Sequence, residues 1–155
     1  MRKTIVPLSE NHQEACRCLN LDAIARVEVT SEEPTHPIEA ALVPPVGEGW
    51  RAATPGKQLI RLKFDQPQRL RVIALTIKEL ERPRTQELVI RWARKGEGKL
   101  QEVVRQQFNF SPPGTTIEQE SYEVDLSDVE ALEIEINPDL SSPQGRATLA
   151  RFRVG

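Results

Sequence analysis

Hydrophobic and polar residues alternate along most of this chain, with the two-residue period of strands that bury one face. Val27 and Val29 alternate with Arg26, Glu28 and Thr30, and Ile60, Leu62 and Phe64 with Arg61 and Lys63. Leu88, Ile90 and Trp92 share one side against Glu87, Val89 and Arg91. Tyr122, Val124 and Leu126 continue the pattern, as do Leu132, Ile134 and Ile136 against Glu133 and Glu135. In the run RLRVIALTI the apolar set changes parity between Val72 and Ile73, which predicts either a β-bulge or a strand buried on both faces. Asn11 followed by Glu14 resembles a capping box and predicts one short helix over 12–19. Turn clusters separate the runs: Pro44 to Gly47, Pro55-Gly56, Lys95 to Gly98, Ser111 to Gly114 and Pro138 to Gly145. With twelve prolines and eight glycines so spaced, the chain predicts an all-β, antiparallel sandwich and not a doubly wound α/β sheet.

The 155 residues suit one core, since a chain of this length buries about 70% of the surface its unfolded form exposes. No internal repeat or long linker divides it, so residues 1–21 read as an amino-terminal arm and 22–155 as a single β-sandwich binding domain. Lys and Arg number 21 against 23 Asp and Glu, a balance that supplies no field to recruit nucleic acid or an anionic membrane. The opening MRKTIVPLSENHQEA lacks the apolar core of a secretory signal, and no run approaches the roughly 18 apolar residues of a membrane span. A cytoplasmic location is the expectation.

Candidate chemistry is sparse. His12, Cys16 and Cys18 form H-x3-C-x-C, three of the four ligands a structural zinc needs and at unusual spacing, so two reduced, partly buried thiols are favoured over a metal site. The only histidines are His12 and His36, and no Ser-His-Asp or Cys-His set, nucleophile elbow or phosphate-cradling loop is present. Glu118 with Glu120 and Glu133 with Glu135 have the same-face spacing that glycoside hydrolysis uses, but alternation this regular favours the polar outer side of strands. No catalytic activity and no cofactor are expected.

The hairpin around Gly96 carries a more informative set. Pairing ELVIRW with EVVRQQF places Thr85, Glu87, Val89, Arg91, Val103, Arg105, Gln107 and Asn109 on the face opposite Leu88, Ile90 and Val104. Glu87, Arg105, Gln107 and Asn109 together form either a platform that hydrogen-bonds hydroxyl-rich ligands or carboxylates, or a solvated face with Glu87 paired to Arg105. Phe64, Trp92, Phe108, Tyr122 and Phe152 fall on apolar sides, leaving only Phe110, and Trp50 in the stretch GWRAATPG, free to face solvent.

The order of the pieces resembles the discoidin, or coagulation-factor C-type, group of galactose-binding-like jelly rolls. The matching stretches are Val27 to Ser31, HPIEAA at 36–41, Gly49-Trp50 with the strand QLIRLKF, then LRVIALTI, ELVIRW and the closing ATLARFRVG. The resemblance implies a non-catalytic ligand-binding module, with carbohydrate as the first expectation and a protein partner held by the end loops as the alternative. It implies that Trp50 plugs the barrel, its ring inside, and that ligand contacts lie in end loops holding His36, Glu39, Arg51, Arg82 and Arg84. Arg82-Pro83-Arg84 would form an exposed clamp for a carboxylate or phosphate. Where relatives carry a calcium-binding Ala-x-Asp-Gly segment this chain reads Ala40-Ala41-Leu42-Val43, which lacks the hard oxygen ligand, so no metal is expected.

Overall fold

The computed structural model of the chain describes residues 2–3, 18–43 and 48–155. The expected helix over 12–19, His12, Cys16 and the turn at 44–47 therefore lie wholly or largely outside the described residues. Two strands of 21 residues each, β3 (Gln58–Lys78) and β6 (Ile117–Asn137), pair antiparallel and form the spine. The first half of β3 pairs with β1 (Ala25–Val29) and with residues 131–136 of β6, so that Ile60 sits between Val29 and Ile134. Beyond β6 come β4 (Arg84–Arg94) and β5 (Leu100–Phe110), giving the order β1-β3-β6-β4-β5. The second half of β3 pairs with the other half of β6 and with β8 (Arg151–Val154). A small ladder of β2 (Trp50–Arg51) and β7 (Thr148–Leu149) stands apart, and two single-turn helices, α1 (Leu21–Ile24) and α2 (Glu39–Leu42), flank β1.

The parity change read from RLRVIALTI is a bulge region. Register shifts fall between Lys63 and Gln68, Gln68 and Leu70, and Leu70 and Val72, after which Ile73, Leu75 and Ile77 are the buried set. Such shifts bend a strand and increase its twist. The two layers of the sandwich are thus joined through β3 and β6, where the alternation alone predicts two separate sheets. Asp128, near the corresponding corner of β6, takes a positive φ of 55°, which aspartate tolerates better than most residues. The amino-terminal side reaches the carboxy-terminal strand, since the Leu19 N–H donates to the Val154 carbonyl at 2.8 Å.

One hydrophobic cluster fills the interior and takes in Trp50, Phe64, Trp92, Phe108, Phe110 and Phe152. Phe110, expected at the surface, is 3% exposed: it lies two residues from Phe108, and a period of two puts both rings on one face. A register shift between Ile90 and Arg91 sets Arg91 opposite Glu102, so Val103 leaves the predicted polar face and packs against the core. Glu118 and Glu120 are likewise not on the outer side of β6. They share the side of Tyr122, which packs against the core, and Gln106 bridges Tyr122 to Glu120. Desolvation pushes the Tyr122 hydroxyl pKa upward.

Arg153 fastens α2 to β8. Its Nη1 donates to the Ala41 carbonyl at 2.8 Å and to the Phe152 carbonyl at 2.7 Å, and burial lowers its pKa. A carbonyl of the Ala40 to Val43 segment thus already has a cationic partner. Cys18 is disulfide-bonded, which corrects the expectation of reduced thiols at that residue. Among the described residues no helix is long and apolar enough to cross a membrane.

Candidate functional site

Three segments meet at one end of the sandwich. The first doubles back on itself through a bridge between Glu33 and His36 and clasps β2: the Glu33 N–H donates to the Arg51 carbonyl at 2.9 Å, and the Arg51 N–H to the His36 carbonyl at 3.2 Å. Trp50 anchors this wall. It is 1% exposed, and its indole Nε1 donates to the Ser31 carbonyl at 3.0 Å, so the ring is a plug and not a stacking platform. Gly49 makes the approach possible: its φ is +85°, and a Cβ there would lie 2.5 Å from the Leu149 carbonyl oxygen.

The second segment is the turn between β3 and β4, organised by one buried carboxylate. Glu79 Oε1 accepts the backbone N–H groups of Glu81 at 2.9 Å and Arg82 at 3.2 Å, while Oε2 pairs with Arg84 Nη2. Arg84 Nη1 donates to the Arg146 carbonyl at 3.0 Å, tying this turn to the third segment, the approach to β7. Gly145 leaves the space, since a Cβ on it would sit 3.2 Å from that nitrogen. Arg84, expected as an exposed clamp, is only 7% exposed. Burial lowers its pKa, an effect that the adjacent Glu79 opposes. It is a tie between loops, because an arginine so deep needs its carboxylate and carbonyl partners to offset lost hydration.

Between the segments opens a cleft of about 440 Å³. His36, Arg51, Arg82 and Arg84 all line it, as the end-loop reading expects. Glu39 does not; it is exposed at the start of α2. Glu33 is the hub of the near wall, 3.0 Å from Arg146 Nη1, 3.5 Å from Arg51 Nε and 3.3 Å from His36 Nδ1. His36 Nε2 also meets Glu48 at 3.0 Å. Lys78, Leu80, Gln144 and Thr148 also line it, as do the carboxylates of Glu48, Glu79 and Glu81. Leu80 is 68% exposed, a large apolar side chain held in solvent at the rim of a polar cleft.

Sequence reasoning missed Lys78, Leu80 and Arg146. The signal for Leu80 was available, because in Lys78-Glu79-Leu80-Glu81-Arg82 it is the lone apolar residue of a charged turn. Arg146 carried no local signal, since what links it to Arg51 is their shared partner Glu33, far off in the sequence.

The alternative face on β4 and β5 satisfies itself. Arg105 Nη1 lies 2.9 Å from Glu87 and Nη2 2.9 Å from Glu102, the Gln107 amide reaches Glu87 at 3.5 Å, and Thr85 donates to Asn109 at 2.8 Å. These bonds engage Glu87, Arg105 and one end of each amide, and the pairing of Arg105 with Glu87 is the one the solvated-face reading expects. Glu133 and Glu135 are equally engaged: Glu133 lies 2.8 Å from Arg61 and 3.3 Å from Arg91, and Glu135 3.6 Å from Arg91. A larger concavity, about 800 Å³, lies over the second half of β3 beside Cys18. It is lined by side chains of β3, β6 and β8, some already paired, as Arg69 is with Asp125 at 3.0 Å. The end cleft is the better candidate because loops from three parts of the chain converge on it.

No protein-family profile matches the chain. Nor does any curated protein match it in sequence. Solved structures do match in fold. The family 32 carbohydrate-binding module of NanJ from Clostridium perfringens, in complex with galactose, superposes with a TM-score of 0.64 at 15% identity, over 88% of this chain and 96% of that one. The family 32 module of AlyQ, in complex with 4,5-unsaturated mannuronic acid, gives 0.61 at 15% identity, over 85% and 95%. An F5/8 type C domain from Bacteroides fragilis gives 0.60 at 14% identity, over 88% and 93%. The chain has the discoidin-like, galactose-binding-domain-like β-sandwich fold, as the order of its sequence pieces implies.

Proposed function

We propose that this chain is a carbohydrate-binding module, without catalytic activity of its own, that holds a saccharide in the end cleft. The observation that carries the reading is the convergence of guanidinium, amide, imidazole and hydroxyl groups around one preformed cleft of about 440 Å³. That volume lies within the usual range for small-ligand sites, and those groups match the donors and acceptors of sugar hydroxyls. The fold adds support, since two solved structures that share it carry galactose and an unsaturated mannuronic acid. With Trp50 and Phe110 buried, no aromatic platform stands at the cleft among the described residues, and Leu80 is the apolar surface against which the C–H face of a sugar ring would rest. The engagement of Glu133 and Glu135 by arginines favours binding over hydrolysis.

A glycan-array screen followed by calorimetry tests the reading. The chain should bind at least one saccharide, and Leu80→Asp, an exposed substitution, should abolish that binding with melting unchanged. The exposure of Leu80 also fits a protein partner held by the same loops. Capture of a specific protein that Leu80→Asp releases, with no saccharide bound, would replace the carbohydrate reading by that one.

A further inference from the structure

The cleft holds an imbalance of charge that neutral sugars do not use. Glu33 serves Arg51 and Arg146 at once, with His36 as a third neighbour. Glu79 is fully committed to Arg84 and to two backbone N–H groups. Glu81 reaches Arg51 only at 4.0 Å and is mostly exposed, and Glu48 is turned to His36 at the periphery. Lys78 and Arg82 line the same cleft from exposed positions, and among the described residues their side chains join none of its ion pairs. Like charges gathered at one rim repel through a medium that solvent screens only in part, and the charges of Arg82 and Arg51 both act against that of the buried Arg84. An anion between Lys78, Arg82 and Arg51 would relieve that repulsion, and the guanidinium fork of an arginine suits the paired oxygens of a carboxylate or sulfate.

We infer that the cleft selects acidic saccharides, sugars bearing a carboxylate or a sulfate ester, with Lys78 and Arg82 as the residues that set this preference. The inference rests on the carbohydrate reading and adds the charge class of the ligand. Its test uses the whole chain against oligogalacturonate, the same oligosaccharide methyl-esterified, a galacto-oligosaccharide carrying 6-sulfate, and its unsulfated counterpart, measured by calorimetry alongside an array of neutral and acidic glycans. At least one acidic glycan should bind about tenfold or more tightly than its neutral counterpart, the scale of one or two hydrogen bonds to a charged group. The carboxylate and sulfate arms tell the two anion sources apart. Added salt should erode the preference, and in the double variant Lys78→Gln, Arg82→Gln the acidic glycan and its neutral counterpart should bind with equal affinity. Equal affinity for acidic and neutral partners would overturn the inference and leave the carbohydrate reading standing. A preference that survives in the double variant would overturn the role of these two residues. Binding to no saccharide at all would overturn the inference together with the reading beneath it.

Discussion

Arg84→Met separates a residue that builds the cleft from one that touches its ligand. In the folded chain the guanidinium and the Glu79 carboxylate are both buried and paired, and the carboxylate also holds the Glu81 and Arg82 N–H groups. Removing the cation leaves an uncompensated buried carboxylate and strands the Arg146 carbonyl, which costs about 3–5 kcal/mol for a broken buried pair. At roughly 2–4 °C per kcal/mol for a chain of this size, the melting temperature should fall by about 6–20 °C. Glu79→Gln in the same background removes the stranded charge yet keeps an oxygen for the two N–H groups, so the double variant should regain most of the loss. Arg82→Gln, an exposed neighbour, should stay within about 0.5 kcal/mol of the parent. Urea denaturation with calorimetry on the four proteins measures all of this. If Arg84→Met melts within about 2 °C of the parent while ligand binding disappears, the reasoning fails and Arg84 is a ligand group after all.

The same packing sets three further outcomes. Trp50→Ala should cost about 3–5 kcal/mol as a large-to-small core change, and Trp50→Phe a smaller amount, about 1–3 kcal/mol, for the unsatisfied Ser31 carbonyl; unchanged melting in both by calorimetry would return the ring to the surface. Gly49→Ala should lower stability by at least about 1–3 kcal/mol in urea, since it combines a positive φ with a Cβ driven against the β7 to β8 backbone. Glu28 has its pKa lowered by the Lys63 ammonium, which hydrogen-bonds it at 2.6 Å. A carboxylate depressed in the folded state contributes stability above its unfolded pKa and loses it as pH falls through the folded value, so NMR titration should find Glu28 below the ordinary glutamate range, and Lys63→Met should move it upward, with Arg61 and Arg26 still acting to lower it.

The strands were legible because period-two patterning is local information: Ile60, Leu62 and Phe64 announce a buried face without reference to any other part of the chain. The bulge at Leu70 to Val72 was legible for the same reason, as a break in that period. What stayed hidden was the fate of residues whose environment is made by distant segments. Arg82 and Arg84 look alike in sequence, both charged and flanking Pro83, yet Arg82 is exposed and Arg84 is buried because Glu79 and the Arg146 carbonyl close over it. Val103 was misplaced by one bulge between Ile90 and Arg91, since it is the extra residue left without a partner there, while Arg105, Gln107 and Asn109 keep the predicted pairing. The end cleft was located from the order of the pieces, and Glu33, which lies 113 residues along the chain from its partner Arg146, had no signature of its own.

The cleft divides into a fixed frame and an adjustable rim, and the division bears on how such a site acquires a specificity. Trp50, Glu33, Glu79 and Arg84 set the distance between the walls through bonds to backbone atoms and to one another, so little conformational freedom is left there for a ligand to freeze. Lys78, Leu80 and Arg82 stand outside this frame, with exposed side chains that join none of its bonds. Leu80 and Arg82 project from a turn whose backbone Glu79 already holds, and Lys78 from the end of β3, so replacing these side chains should leave the frame in place. Lys78→Gln with Arg82→Gln should therefore shift ligand preference at unchanged melting temperature, whereas Arg84→Met should lower both stability and affinity for every ligand. If the rim variants instead lower the melting temperature as Arg84→Met does, frame and rim are one unit, and a ligand preference set at the rim cannot be tuned independently of the fold.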